Sequence, residues 1–145
     1  MLPDLTADGL LPAGVHAASW TELELAFAHN DRRRHLMAAL RLACQALAAA
    51  GCTALYLDGS FVTDKDQPGD YDACWDWAEV RPDLLDPLLL ARDSIGRSQR
   101  KAKYLGDVFI AGIEGGSGLP FVNFFQQTRE GKTKGIVLLN PKEVP

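Results

Sequence analysis

Two short apolar segments, separated by a Gly-Ser pair and nine further residues, constrain the fold of this chain more than any other feature. The first, Thr53–Asp58, is rich in apolar and β-forming residues and predicts a buried strand that ends at Gly59-Ser60. The second, Asp70–Trp75, follows a Pro-Gly turn signal and predicts another strand. Because side chains alternate across a strand, Asp70 and Asp72 point to the same face. The sequence therefore predicts two neighbouring carboxylates on one face of a sheet.

Capping residues and helical spacing predict the elements before these strands. The run Ser19-Trp20-Thr21-Glu22 is a capping box, which predicts a short helix over residues 20–28. Asn30 and Asp31 can cap a second helix, which ends at Gly51 and whose apolar residues recur every three or four positions: Leu36, Leu40, Cys44 and Leu47. Residues 1–18 lack any period and are interpreted as an extended N-terminal arm, and residues 19–145 as one domain.

The second half of the chain continues the alternation of helices and strands. Residues 82–90 are apolar and predict a helix that Pro87 would disturb, and residues 97–104 predict a polar helix. A third strand is expected over 107–111 and the last strand over 135–139, with a glycine-rich loop and a short helix between them, over 115–118 and 119–127. We expect an α/β (α+β) protein with a mixed sheet flanked by helices.

Charge and cysteine content exclude several classes of protein. The net charge of −4 argues against a general nucleic-acid binder, because such proteins usually carry a basic surface. The two basic clusters, 32–34 and 97–103, are interpreted as solvated helix faces. Three cysteines without a CxxC motif predict buried, reduced thiols and a cytoplasmic location. We expect neither a signal peptide nor contact with a membrane, since no apolar run approaches 18 residues.

Asp70, Asp72 and Asp107 have the chemistry of a metal site. Two adjacent carboxylates repel each other and cost stability unless a cation lies between them. Such hard oxygen ligands suit Mg²⁺ or Mn²⁺, and a third carboxylate on a neighbouring strand would complete a two-metal site. Asp107 opens the third strand and is the candidate for that position, with Glu114 as the alternative.

Gly59 and Ser60 have the chemistry of a phosphate-binding turn. A glycine lets a phosphate come close to the backbone. The N–H groups that follow it, together with the Ser60 hydroxyl, can donate hydrogen bonds to that phosphate. The Gly-Ser pair and the Asp-x-Asp motif are each common in proteins. Their order after an apolar strand is what indicates a phosphate and metal site.

Each candidate residue also has a structural interpretation. Asp70 fits a turn after Pro-Gly, Asp72 a solvent-facing strand position, and Asp107 a cap at the start of a strand. Asp58, just before the glycine, is interpreted as structural.

Two lysines and two tryptophans each have both a structural and a functional interpretation. Lys101 and Lys103 could reach a triphosphate, and a solvated helix end is the simpler interpretation. Trp75 and Trp77 alternate along the chain, which predicts one ring in the core and the other at the surface, with base stacking as an alternative.

The stretch Leu57–Ser60 together with Asp70-Tyr71-Asp72 resembles the Gly-Ser…Asp-x-Asp signature of the nucleotidyltransferase superfamily, which includes the minimal nucleotidyltransferases of bacterial toxin–antitoxin systems. Four stretches resemble a bacterial family of nucleotidyltransferase-like proteins over nearly the whole chain: 11–16, 58–63, 68–72 and 134–137. The resemblance implies a nucleotidyltransferase-type mixed sheet. It also implies metal binding by Asp70 and Asp72, with Asp107 as the third carboxylate.

The same resemblance implies a magnesium-dependent enzyme that moves a nucleoside monophosphate from a nucleoside triphosphate to an acceptor hydroxyl. Asp70 and Asp72 would then be metal ligands, Asp107 a third ligand or the general base, and Gly59 and Ser60 the holders of the terminal phosphates. The chain departs from the minimal enzymes at residues 61–63, where those enzymes often carry an arginine and a glycine. Two alternatives stand beside the enzyme: a catalytically silent, antitoxin-like regulator that binds a protein partner, and a nucleotide sensor.

Overall fold

Five strands form one mixed sheet in the computed structural model, which describes residues 1–112 and 117–145. The spatial order of the strands is β1-β5-β2-β3-β4. The first and last pairs in this order, β1 with β5 and β3 with β4, are parallel, while β2 runs antiparallel to both of its neighbours. The strands are β1 (Gly14–Ala17), β2 (Leu55–Asp58), β3 (Tyr71–Trp75), β4 (Gly106–Ile110) and β5 (Gly135–Leu139).

Four α-helices accompany the sheet in the described ranges: α1 (Trp20–Phe27), α2 (Asp31–Ala49), α3 (Ser94–Tyr104) and α4 (Phe121–Phe124). The predicted capping box is confirmed, because the Ser19 hydroxyl accepts from the Glu22 N–H and the Glu22 carboxylate accepts from the Ser19 N–H. Asn30 caps α2 as predicted, and Gly51 follows the helix with a φ of 97°. None of the described helices is both long and apolar enough to cross a membrane.

The main hydrophobic core lies on one face of the sheet and joins α1, α2 and α3 to the central strands. It includes Leu23, Leu40, Leu57, Tyr104 and Val137. A smaller apolar cluster lies on the other face, where Cys74 and Ile136 pack with Phe125 and with the α4 segment. Since these elements share one sheet and one main core, the chain is a single α+β domain. All three cysteines are buried and free, as predicted.

Three parts of the chain differ from the sequence prediction or extend it. The helix predicted over 82–90 is wrong: two separate 3-10 turns, Pro82–Leu84 and Pro87–Leu90, occupy this segment. Each turn begins at a proline, which lacks the N–H that a continuing helix requires. Four residues of the predicted arm form β1, so this end of the arm belongs to the sheet. Glu114 and the first half of the glycine-rich loop, 115–116, lie outside the described residues.

Two arginines of the basic clusters are buried, so the prediction of solvated helix faces is wrong for Arg33 and Arg100. Each one donates to backbone carbonyls, most of which lie in loops or 3-10 turns. Arg33 in α2 donates to four carbonyls, those of Phe27, Phe61, Thr63 and Lys65. Arg100 in α3 donates to the carbonyls of Leu88 and Ala91. The guanidinium groups therefore hold loops in place from inside the domain.

Candidate functional site

Three aspartates lie in a row across neighbouring strands of the sheet. Asp58 at the end of β2 is paired in register with Asp72 of β3, and Asp72 is paired with Asp107 of β4. Residues directly opposite each other share a face of the sheet. Asp70 precedes Asp72 by two residues, and one carboxylate oxygen each from Asp70, Asp72 and Asp107 lies within 4.8 Å of the others. The structure thus brings together the three carboxylates that the sequence predicts as ligands.

Two lysines neutralise part of this acidic cluster. The Lys101 Nζ in the last turn of α3 lies 3.0 Å from Asp70 Oδ2 and 3.5 Å from Asp107 Oδ2. The hydrogen bond to Asp70 raises the pKa of Lys101 above its ordinary value. The Lys134 Nζ lies 2.7 Å from Asp58 Oδ1; the Asp58 side chain is buried and that of Lys134 is mostly buried. Burial is the largest influence on Asp58 and raises the pKa of its carboxyl, against the opposing effect of Lys134.

Lys101 is the site residue that sequence reasoning placed elsewhere, at a solvated helix end. The position of Lys101 in the chain could have indicated its role. Because α3 ends at Tyr104 and β4 begins at Gly106, the last turn of the helix must lie near the start of that strand. Lys103 does not join the cluster, because its Nζ lies 2.7 Å from Asp86 Oδ2 instead.

Asp72 is the carboxylate that the two lysines leave unpaired, since it makes no ion pair within the described ranges. Its pKa is raised to about 6, first by burial and then by the charges of Asp70, Asp58 and Asp107. Four carboxylates face two ammonium groups, which leaves two negative charges in a half-buried position. A divalent cation fits this charge and these oxygen ligands.

The Gly59-Ser60 turn lies directly beside Asp72. Gly59 has a φ of 91°, and a Cβ at this position would lie 3.1 Å from both the N and the Oδ2 atoms of Asp72. Glycine is therefore required here by backbone conformation as well as by space. Ser60 begins a 3-10 turn, Ser60–Val62, and its hydroxyl makes no hydrogen bond with any residue that the structure describes. That hydroxyl is free to bind a ligand next to the acidic cluster.

The fold and the site define an α+β domain with a carboxylate cluster on one face of a mixed sheet, next to a glycine-serine turn. The chain belongs to a family of unknown function, DUF6932, which matches residues 3–140. No curated protein matches the chain, and no solved structure matches it.

Proposed function

We propose that this protein is a cytoplasmic, metal-dependent nucleotidyltransferase with a nucleotidyltransferase-type sheet. The observation that carries the proposal is the convergence of Asp70, Asp72 and Asp107 within 4.8 Å of one another, on a sheet whose neighbouring strand ends at Gly59-Ser60. The uncompensated charge at Asp72 supports it, because a divalent cation would relieve the repulsion among these half-buried carboxylates.

The proposed reaction moves a nucleoside monophosphate to an acceptor hydroxyl. The acceptor oxygen forms a bond to the α-phosphorus of a nucleoside triphosphate, the bond between the α- and β-phosphates breaks, and pyrophosphate leaves. Asp70 and Asp72 hold Mg²⁺ or Mn²⁺, which would neutralise phosphate charge. Asp107 is a third ligand or takes the proton of the acceptor hydroxyl. The Gly59-Ser60 turn donates hydrogen bonds to the terminal phosphates.

The second candidate is a catalytically silent domain that binds a protein partner, in the manner of an antitoxin-like regulator. The observation that favours it is Lys101, whose ammonium already lies between Asp70 and Asp107. The sequence after Ser60 agrees with it, since Phe61 and Val62 are buried side chains and offer no charge to a triphosphate.

A labelling experiment separates the two candidates. The protein is incubated with each nucleoside triphosphate labelled at the α-phosphate, with Mg²⁺ or Mn²⁺ and a cell extract as the source of acceptor. We expect the wild type to label a protein, an RNA or a small molecule, and Asp107→Asn to lose this activity by orders of magnitude. Asp83→Asn is the matched control, because Asp83 is exposed and its one ion-pair partner among the described residues is Arg81. Absence of label with every nucleotide and metal, together with capture of one specific protein, would favour the regulator.

A further inference from the structure

A cavity of about 500 Å³ opens beside β4, at the edge of the sheet, and no residue of the acidic cluster is among its described lining residues. Three arginines line it, Arg92, Arg97 and Arg100, and none of the described lining residues is acidic. None of the three forms an ion pair within the described ranges. The cavity therefore carries positive charge that the described part of the protein does not neutralise.

Arg100 gives this cavity a fixed and buried donor. The residue is only 5% exposed, and its Nη1 donates to the Leu88 carbonyl at 3.1 Å and to the Ala91 carbonyl at 2.9 Å. Its other N–H groups make no hydrogen bond with any described residue. Burial and the charge of Arg97 both lower the pKa of Arg100, against the opposing charge of Asp107, and Arg100 forms no ion pair in the part of the chain that the structure describes. An anion in the cavity would relieve this cost.

A second, apolar cavity of about 300 Å³ adjoins the first and shares Leu90, Arg92 and Ile110 with it. The ring of Trp75 is buried at its base, and Trp77 at its rim is 66% exposed, as the sequence predicts for one of the two tryptophans. An exposed tryptophan beside an apolar cavity offers a flat surface on which a ring can stack. The two cavities together have a cationic part and an aromatic part.

We propose that this double cavity binds a small phosphate monoester that carries an aromatic ring, with the phosphate on Arg97 and Arg100 and the ring against Trp77. The planar guanidinium matches the geometry of a phosphate, and the fixed position of Arg100 lowers the entropic cost of binding. Two classes of ligand carry such a phosphate: nucleotides, and phosphorylated aromatic molecules that lack a nucleoside.

The cavity is close to the acidic cluster. Phe109, which lines the cavity, lies two residues after Asp107 on the same strand and on the same face, a separation of roughly 7 Å. A ligand in the cavity can therefore present a hydroxyl toward Asp107, which makes it a candidate for the acceptor; this last step alone rests on the proposed nucleotidyltransferase function.

Calorimetric titrations of the full chain in EDTA test the binding site without the metal. The titrants are phenyl phosphate, adenosine monophosphate and inorganic phosphate. We expect phenyl phosphate or adenosine monophosphate to bind at least tenfold more tightly than inorganic phosphate, and the tighter of the two identifies the source. The variant Arg92→Gln/Arg97→Gln should weaken that binding at least tenfold, because it removes the proposed Arg97 contact and the positive charge of Arg92, which lines both cavities. Trp77→Ala should weaken binding of the ring-bearing compound and leave inorganic phosphate unchanged.

Arg34→Gln is the matched control, because its guanidinium pairs with Asp31 on α2 and does not line either cavity. The inference is overturned by unchanged binding in Arg92→Gln/Arg97→Gln, by equal affinity for inorganic phosphate and both ring-bearing compounds, or by no binding of any titrant at millimolar concentration. Binding in EDTA that persists without any nucleotidyl transfer would reject the proposed enzyme and leave this site standing. Nucleotidyl transfer without binding in the cavity would reject this site and leave the proposed enzyme standing.

Discussion

The ammonium group of Lys101 lies 3.0 Å from Oδ2 of Asp70, and in this position it also reaches Asp107. A lysine thus lies between two of the three carboxylates that the proposed function assigns to a metal. The side chain is half exposed and extends from the last turn of α3, so it can move into solvent without disturbing the core. The protein without metal is therefore expected to hold its acidic cluster together with this lysine.

Replacement of Lys101 by methionine should strengthen metal binding. The metal would no longer compete with an ammonium group for Asp70 and Asp107, and we expect Mn²⁺ affinity to rise about tenfold by titration calorimetry. The same variant without metal should melt slightly lower, because an exposed ion pair contributes about 0.2–1 kcal/mol. Lys103→Met is the control, since Lys103 pairs with Asp86 and lies outside the cluster. Equal or weaker Mn²⁺ affinity in Lys101→Met would argue that the three carboxylates do not bind the ion.

Magnesium or manganese should stabilise the folded wild type. A ligand that binds only the native state adds about 2.7 kcal/mol at 100 times its dissociation constant. Asp70→Asn/Asp72→Asn should lose this response and should be more stable than the wild type in EDTA, because the repulsion among the carboxylates is reduced. Thermal melts of both proteins with and without metal measure both effects. The same metal response in the variant would place the ion elsewhere.

The stability of the metal-free protein should rise as the pH falls from 7 to 5. The folded pKa of Asp72 is about 6, above the unfolded value of 3.8, so the folded state binds the proton more tightly. The destabilising contribution of Asp72 is fully present above about pH 6 and is lost as the pH falls toward 4. After a discount for solvent screening, its size is on the order of 1–2 kcal/mol.

Urea denaturation in EDTA at several pH values measures this dependence. Asp58 has a raised pKa and contributes in the same direction, so the informative quantity is the difference between the wild type and Asp72→Asn. The variant should have the flatter profile between pH 5 and 7. Parallel profiles would mean that Asp72 is ionised normally in the folded state.

Local sequence patterns predicted much of this fold. The last strand was predicted with the bounds that the structure has, and the capping box fixed the start of α1. The alternation of Asp70 and Asp72 predicted that these two carboxylates share a face, and the expected strand over 107–111 made Asp107 the candidate for the third. The position of Asp107 on that face depends on the pairing of β3 with β4. Each of these signals lies within a few residues of the feature it predicts.

Features that depend on distant partners were not predicted. Arg33 and Arg100 look like surface residues in the sequence, and only the tertiary structure supplies the carbonyls that bury them. Residues 14–17 show no strand pattern of their own, and they form β1 because β5 offers them an open edge. Lys101 joined the site for the same reason, since its contact with Asp70 depends on how α3 returns to the sheet.

Ser60→Ala should weaken binding of a nucleoside triphosphate several-fold without a change in stability. The hydroxyl makes no hydrogen bond with any described residue, so its removal should alter the free energy of unfolding by less than about 0.5 kcal/mol. Gly59→Val is a poorer test, because its φ of 91° and the nearby Asp72 would destabilise the fold itself. Ser98→Ala, at an exposed position on α3, is the control for titrations with Mg²⁺ and a non-hydrolysable triphosphate. Undiminished affinity in Ser60→Ala would place the phosphates elsewhere.

Arg33→Met should destabilise the protein by about 3–5 kcal/mol, although the methionine fills much of the same space. The guanidinium is fully buried, lies over the rings of Phe27 and Phe61, and donates to the carbonyls of Phe61, Thr63 and Lys65. Without it, those carbonyls are left without donors inside the domain, which costs roughly 1–3 kcal/mol for each group that water cannot reach.

The segment that Arg33 holds comes directly after the Gly59-Ser60 turn. In the variant, this segment should open locally under conditions where the rest of the domain stays folded. Limited trypsin digestion should cut after Lys65 much faster in Arg33→Met than in the wild type, while the far-UV spectrum remains native. Arg34→Met, one residue along α2 and exposed, should change neither the urea midpoint nor the cleavage rate. Arg33→Lys should behave like Arg33→Met, because a single ammonium cannot reach carbonyls that the planar guanidinium bridges. A Lys variant with wild-type stability would mean that charge alone, rather than the bridging geometry, holds the loop beside the site.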